Sequence, residues 1–450
     1  MNVEAGVARG PSGIPERARP RGATTPKEKR NAFIASFLGW GLDGFETYTV
    51  VLVGHQVTAD LIGPHASPIF FGSILAITLF AWACGGMLSG VVSDYLGRKK
   101  TLMVSILWYA VFTGLSAISP NFAVFMLLRF FAGLGLGAEW GPGSALVSEI
   151  WSDRSRGRGI ALLQGGFGVG FLVATGCWAF VNTGPHAWRY MFLIGVIPAF
   201  CTFFIWRYAR DPQLWIDADR RRAEARARKA AGRAAQADDE ALNRLTFLQV
   251  FRDPTLRGRT LKLLVLAAAT LIGWWATSSY VPVFAAEVAH KAGQHPAGFV
   301  TTVALCYNGG AVVGYLAMGW LNDTLGRRWT IWGFFLGALI MDPILFLVAG
   351  SMTWLPFVAA VNGFFTLGIF TWMATWPVEL YPTYARATGI TIVFNATRYI
   401  AATFAVISGI LVATFGSVAT AAVVIGSVYV VGVLLTFWVG PETKGIALPN

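Results

Sequence analysis

The chain has 450 residues, 55% of them hydrophobic and only 13% charged, and its mean hydropathy is +0.57. That composition excludes a soluble globular domain. The net charge of +12 does not point to nucleic acid, because nearly all the basic residues lie in segments flanking long apolar runs.

In chain order, residues 1–30 form a polar tail rich in Pro, Gly and Arg. The apolar run after it is too long for a signal-peptide core and carries acids, so no cleavage is expected. Apolar windows of about 20 residues, enough to cross roughly 30 Å of hydrocarbon as helices, recur near 31–53, 69–92, 101–118, 121–147, 158–182 and 188–208. A polar stretch follows, including "DADRRRAEARARKAAGRAAQADDEALNR". Its Ala, Arg and Glu content suits either a surface helix or a solvated tether. Six more windows lie near 260–286, 297–321, 329–349, 353–376, 387–414 and 417–439. Such continuous runs are not the alternating pattern of barrel strands. The expected fold is an all-α membrane protein of twelve transmembrane helices. Its parts are a tail (1–30), a six-helix bundle (31–208), a linker (209–258), a second bundle (259–440) and a tail (441–450).

Twelve spans put both termini on one face. That face collects nearly all the Lys and Arg; Arg189 and Lys291 fall on the other, and Arg129 and Arg398 inside spans. The positive-inside rule predicts cytoplasmic termini in a bacterial inner membrane, with a basic rim suited to anionic lipid headgroups. The four cysteines, Cys84, Cys177, Cys201 and Cys306, fall within spans without metal-ligand spacing and are expected to pack as small apolar residues. The five histidines (His55, His65, His186, His290, His295) lie in or beside loops of the far face, which argues against a buried histidine relay and leaves surface pH sensing by His55 open. No nucleophile, metal or phosphate motif stands out, so no enzyme, cofactor or metal is expected. A monomer is expected.

The halves repeat. "GVVSDYLGRKK" and "GWLNDTLGRRW" share G-x-x-x-D-x-x-G-R-[KR], with Asp94 and Asp323 separated by 229 residues. "EIWSDRSRGRG" and "ELYPTYARATG" place Glu149 and Glu379, and Arg156 and Arg386, 230 apart. A parallel repeat of six-helix halves predicts a transporter with its site between the halves at mid-membrane.

Those paired loops, with "RFFAGLGLG" from Arg129 and "PETKG" from Pro441, resemble the major facilitator superfamily over nearly the whole chain. "GWGLDGFE", "GAEWGPGSALVSE" and "WRYMFLIGVIPA" are similar to its proton-linked carboxylate branches, the sialate, lactate and aromatic-acid symporters. Glu46 stands where such symporters often carry a second Asp. "PETKG" and "ELYPTYARATG" also resemble sugar porters. The resemblance implies gating roles on the basic face for Asp94, Arg98, Glu149, Arg156, Asp323, Arg327, Glu379 and Arg386, as charge pairs that latch helices; fixing loop geometry is the alternative.

Inside the membrane, Asp43 lies 12 residues into the first span, roughly 18 Å along its axis, with Glu46 on the same face. Arg129 and Glu139 lie on the fourth span, and Arg398 with Asn395 on the eleventh. A bare charge at the bilayer centre costs about 3 to above 10 kcal/mol. Asp43 and Glu46 are therefore expected to face a central cavity, with Arg129 partnering one of them and Asp43, Glu46 and Glu139 as proton-handling candidates. Static pairing is the alternative. Asp342, before Pro343, is expected to be local structure. The second half offers a substrate face of Arg398, Asn395, Asn308, Tyr307, Trp275 and Trp372, joined by Gln164. Arg398, as a planar fork, suits a carboxylate.

The expected function is proton-coupled symport of a small organic anion, a monocarboxylate, aromatic acid or sugar acid. The alternatives are a sugar or polyol porter and, from another class, a non-transporting membrane sensor.

Overall fold

The computed structural model describes residues 26–96, 98–140, 147, 156–197, 199–200, 202–203, 220, 250–381 and 383–446, and among them contains helices and short connections with no strand. The first six spans run over Pro26–Leu61, Pro68–Leu96, Arg98–Ser116, Phe122–Gly137, Arg156–Val181 and a sixth beginning as Ala187–Ile194. The second six are Pro254–Lys291, Pro296–Leu325, Arg327–Val348, Leu355–Leu380, Thr383–Phe415 and Val418–Val439. Eight of the twelve are long and apolar enough to cross a membrane by themselves. The exceptions have local causes. Span 1 carries Asp43 and Glu46, span 3 opens on Arg98-Lys99-Lys100, and spans 4 and 6 are short within the described residues. The tail before residue 26 and most of 209–258 lie outside the described residues.

Helix starts follow side-chain capping. Asn121 accepts the Val124 N–H to open span 4, Ser417 accepts from Thr420 to open span 12, and Asp253 accepts from Thr255 and Leu256 with Pro254 at the first position of span 7. Pro343 cannot donate to the carbonyl four residues back, and span 9 continues past it as a single π turn, Ile344–Val348.

Without a hydrophobic drive between helices in lipid, close approach has to come from small residues. A Cβ on Gly137 would lie 2.0 Å from the Trp82 carbonyl, fastening span 4 to span 2, and one on Gly310 would lie 1.8 Å from the Ala360 carbonyl, fastening span 8 to span 10. These are equivalent pairs in the two halves. Across the halves, span 2 packs against span 11 and span 5 against span 8.

Candidate functional site

The five intramembrane charges meet at the middle of the bundle, and all are sealed: Asp43, Glu46, Arg129, Glu139 and Arg398 are 0–2% exposed. The open central cavity expected beside Asp43 and Glu46 is not what surrounds them. They separate instead into two sets, because residues three apart on a helix diverge enough to face different neighbours.

Glu46 belongs to a closed cage. Arg129 forms a salt bridge with it, and the same guanidinium donates to Ser116 Oγ at 2.8 Å and to Thr113 Oγ1 at 3.3 Å. Thr113 in turn donates to Glu46 Oε1 at 2.8 Å. The Phe192 ring covers Arg129 at 4.6 Å, and Gly195 leaves room for Glu46 Oε2. Both donors to Glu46 converge on Oε1, Oε2 has no donor among the described residues, and every member comes from the first half.

Asp43 and Glu139 face each other, and among the described residues no N–H or hydroxyl group donates to any of their four carboxyl oxygens. Glu139 fits because position 39 is glycine; a Cβ there would meet its Oε1 at 2.0 Å. It follows the last turn of span 4, where Ala138 already caps the helix. The cation whose field reaches Asp43 is Arg398, which crosses from the second half. Among the described residues no carboxylate lies within ion-pair distance of Arg398. Its Nη1 bonds the Phe394 carbonyl and, at 3.3 Å, Asn395 Oδ1, and its plane sits between Trp82 at 4.6 Å and Phe394 at 4.3 Å. A guanidinium held by rings and one carbonyl keeps most of its donor fork for a further partner.

Toward the basic face, a layer of rings spans both halves. Trp40 stacks on Phe167 at 4.7 Å, Trp140 on Phe394 at 4.7 Å, and Trp274 on Phe370 at 5.2 Å. A separate apolar cleft of about 550 Å³, lined by residues such as Phe80, Met126 and Ile407, opens between spans 2, 4 and 11 and holds no charged residue.

A family model, the Major Facilitator Superfamily, matches residues 32–300. The chain belongs to that superfamily. It is 30% identical to a putative metabolite transport protein of Haemophilus influenzae, over 93% of this chain and 97% of that one. It is 28% identical to a probable 4-methylmuconolactone transporter of Cupriavidus pinatubonensis, over 95% and 94%. Among solved structures, the Escherichia coli xylose transporter XylE superposes with a TM-score of 0.69 at 18% identity, over 94% of this chain and 100% of that one, a likeness of fold alone. The chain is thus an integral, multi-pass transporter and not an enzyme.

On this superfamily member the remaining expected site residues divide clearly. Asn395 reaches across to Gly86 of span 2, Asn308 donates to Thr175 of span 5 at 3.2 Å, and Gln164 is buried with both amide atoms unpartnered; these three sit between the halves. Tyr307 turns into its own half, toward Thr366, and Trp372 donates to Thr270. Trp275 packs on Trp274. The ring layer was missed by sequence reasoning, although Phe394 lies one helical turn from Arg398, and Trp40 and Trp140 flank Asp43 and Glu139.

Of the gating set, the side chains of Asp94, Arg98, Glu149, Arg156 and Arg386 lie outside the described residues. Arg327 grips Glu379 with two bonds, 3.0 and 2.7 Å, tying span 9 to span 10 within one half. The "PETKG" tail adds to this. Burial alone would raise the Glu442 carboxyl, but the backbone N–H groups of Arg327, Arg328, Lys444 and Thr443 hold it below its usual range. The carboxylate caps the start of span 9, admitted by Gly326 at φ 96°. Among the described residues, the ion pair that bridges the halves is Asp323 with Arg158, at 3.3 Å, and Arg158 was not among the expected gate residues. It is exposed, so its contribution is at most about 1 kcal/mol. Asp323→Asn should therefore leave the melting temperature nearly unchanged while shifting the balance toward opening of the basic face up to about fivefold. Accessibility of a cysteine placed at Ser89 to a membrane-impermeant thiol reagent, in a background lacking the other cysteines, measures this.

Proposed function

We propose that the chain is a proton-coupled symporter of small organic anions, in the class of aromatic and other carboxylic acids. One observation carries the reading: a buried guanidinium, Arg398, with no carboxylate partner among the described residues, set beside two buried carboxyl groups with no donors among them. Two carboxyls in contact cannot both ionise cheaply. One proton between Asp43 and Glu139 balances Arg398 and leaves the cluster neutral. A substrate carboxylate docking on Arg398 adds a negative charge, and a second proton on the acid pair restores neutrality. Only the fully loaded or fully empty site can then cross the occluded state without an uncompensated charge. Trp82 and Phe394 supply apolar faces that suit a planar acid.

Relatives named for 4-methylmuconolactone, cis,cis-muconate, sialic acid, niacin and 4-hydroxybenzoate support the substrate class. We place the termini in the cytoplasm of a bacterial cell whose inner membrane holds the carrier as a monomer, with 31–208 and 259–440 as the rocking units. Binding tests the reading: purified carrier screened with cis,cis-muconate, 4-hydroxybenzoate, nicotinate, N-acetylneuraminate and D-xylose should be stabilised by carboxylates and not by the neutral sugar. In Arg398→Ala the stabilisation should vanish, a loss of affinity of at least tenfold for a charge-assisted pair of about 1.5–3 kcal/mol. Stabilisation by D-xylose alone, or full binding by the variant, would exclude it.

A further inference from the structure

Asp342, on span 9, is a fourth buried acid, and this mechanism does not use it. It was expected to serve the backbone around Pro343. Instead its side chain leaves its own helix and meets three other spans of the second half. Thr277 of span 7 lies 2.9 Å from Oδ2, Asn362 of span 10 donates to Oδ1 at 2.8 Å, and on span 12 a Cβ at Gly426 would come within 2.3 Å of Oδ2. The carboxyl is fully buried. The titratable groups facing it are Tyr307 of span 8 and Tyr429 of span 12, and among the described residues no Lys, Arg or His approaches it.

The contrast with Glu46 is instructive. The offset of 229 that relates Asp94 to Asp323 also relates Thr113 to Asp342. In the first half Thr113 of span 3 bonds an acid of span 1; in the second, the acid is on span 9 and the threonine on span 7. The acid and the threonine have exchanged helices, and the arginine that neutralises the first pair has no counterpart, since Ala359 stands at the equivalent of Arg129. Glu46 is compensated by a cation. Asp342 has no cation beside it among the described residues, so a proton neutralises it and, when it is ionised, the Thr277 and Asn362 donors offset its charge.

The hydroxyl of Thr277 suits that. It lies 3.0 Å from the Gly273 carbonyl as well as 2.9 Å from Asp342, but it carries one hydrogen. With Asp342 ionised, that hydrogen points to the carboxylate. With Asp342 protonated, the carboxyl donates to Thr277, which turns its hydrogen to the carbonyl. Both states are hydrogen-bonded, so exchange leaves no orphaned group. A polar line also leads out. Asn362 Oδ1 meets Thr366 at 3.2 Å, and Thr366 meets the Tyr307 hydroxyl at 3.1 Å. The next residue, Asn308, bonds across the halves to Thr175.

We propose that Asp342 is a second proton-binding site, housed in the second half, which loads and unloads once per transport cycle. The carboxylate takes one proton and later releases it, with no other bond changed. The proposal rests on the proton-symport reading above and adds one proton to its count. In proteoliposomes with the membrane voltage held at zero and the interior one pH unit more alkaline, each coupled proton multiplies steady-state accumulation about tenfold. The probe is the monocarboxylate that most raises the melting temperature in the panel. Wild-type carrier should accumulate it about tenfold further than Asp342→Asn, a difference that slower turnover does not produce. If the wild type shows no pH-driven accumulation, the symport reading itself fails; if it does and the variant reaches the same ratio, this proposal fails. Infrared pH-difference spectra of the purified carrier give a check independent of transport and of that variant's folding. Of the protonated-carboxyl bands that appear on acidification, one should shift in Thr277→Val; if none shifts, the assignment is overturned.

Discussion

Asp43→Asn is expected to abolish uphill uptake of a carboxylate while leaving exchange of substrate across the membrane intact. The amide keeps the shape of the side chain and removes its titration. In the proposed mechanism Asp43 and Glu139 share one proton in the empty site, and anion binding draws in a second. Arg398 acts on Asp43 rather than on Glu139, so in the variant Glu139 keeps its proton whether the site is empty or loaded, and no proton is taken up with the anion and given back. Arg398 also loses the carboxylate whose field it feels, so substrate affinity should hold or rise. The loaded variant then crosses the membrane with no proton gradient attached, and accumulation falls to equality of inside and outside concentrations. Counterflow uptake in proteoliposomes, compared with uptake under an inward proton gradient, measures both halves of the prediction. Uphill uptake by both Asp43→Asn and Glu139→Gln carriers would remove the acid pair from the coupling mechanism.

Much of the architecture was legible because it follows from length and repetition. A hydrocarbon core sets span length, and two motifs recurring at one offset set the two-half plan, so twelve spans and their pairing needed no side-chain geometry. The charges at mid-depth were legible as a group for a similar reason, since only a shared, shielded site makes them tolerable. Their division was not. Whether Glu46 or Asp43 meets Arg129 depends on the rotation of span 1 against span 4 by a fraction of a turn, which a helical pattern without strong amphipathicity does not fix. The same limit hid Arg158, two residues from the expected Arg156, and the assembly at Asp342, whose partners lie 65 residues before it and 20 after. The ring layer escaped because 18 tryptophans and 33 phenylalanines give no sequence-level contrast between rings that face lipid and rings that meet across the halves.

Arg129→Met should cost the carrier about 3–5 kcal/mol of stability, the loss expected when one member of a buried ion pair is left alone. In this variant Glu46 keeps only Thr113 as a donor, in a site with no access to water. Glu46→Leu leaves the reciprocal fault, a buried guanidinium facing Ser116, Thr113 and an apolar side chain. Changing both, as Glu46→Leu with Arg129→Met, removes the two charges together and should recover most of the loss, since replacing a whole buried pair by apolar groups is often neutral. Melting in detergent across the four proteins closes the cycle. The transport readout then separates the structural role from a proton-handling one. A cage built for stability predicts that the double variant, once folded, still drives uphill uptake through Asp43 and Glu139. If instead the double variant melts like wild type yet only equilibrates its substrate, Glu46 carries the coupling proton and the division of the acids into two sets is wrong.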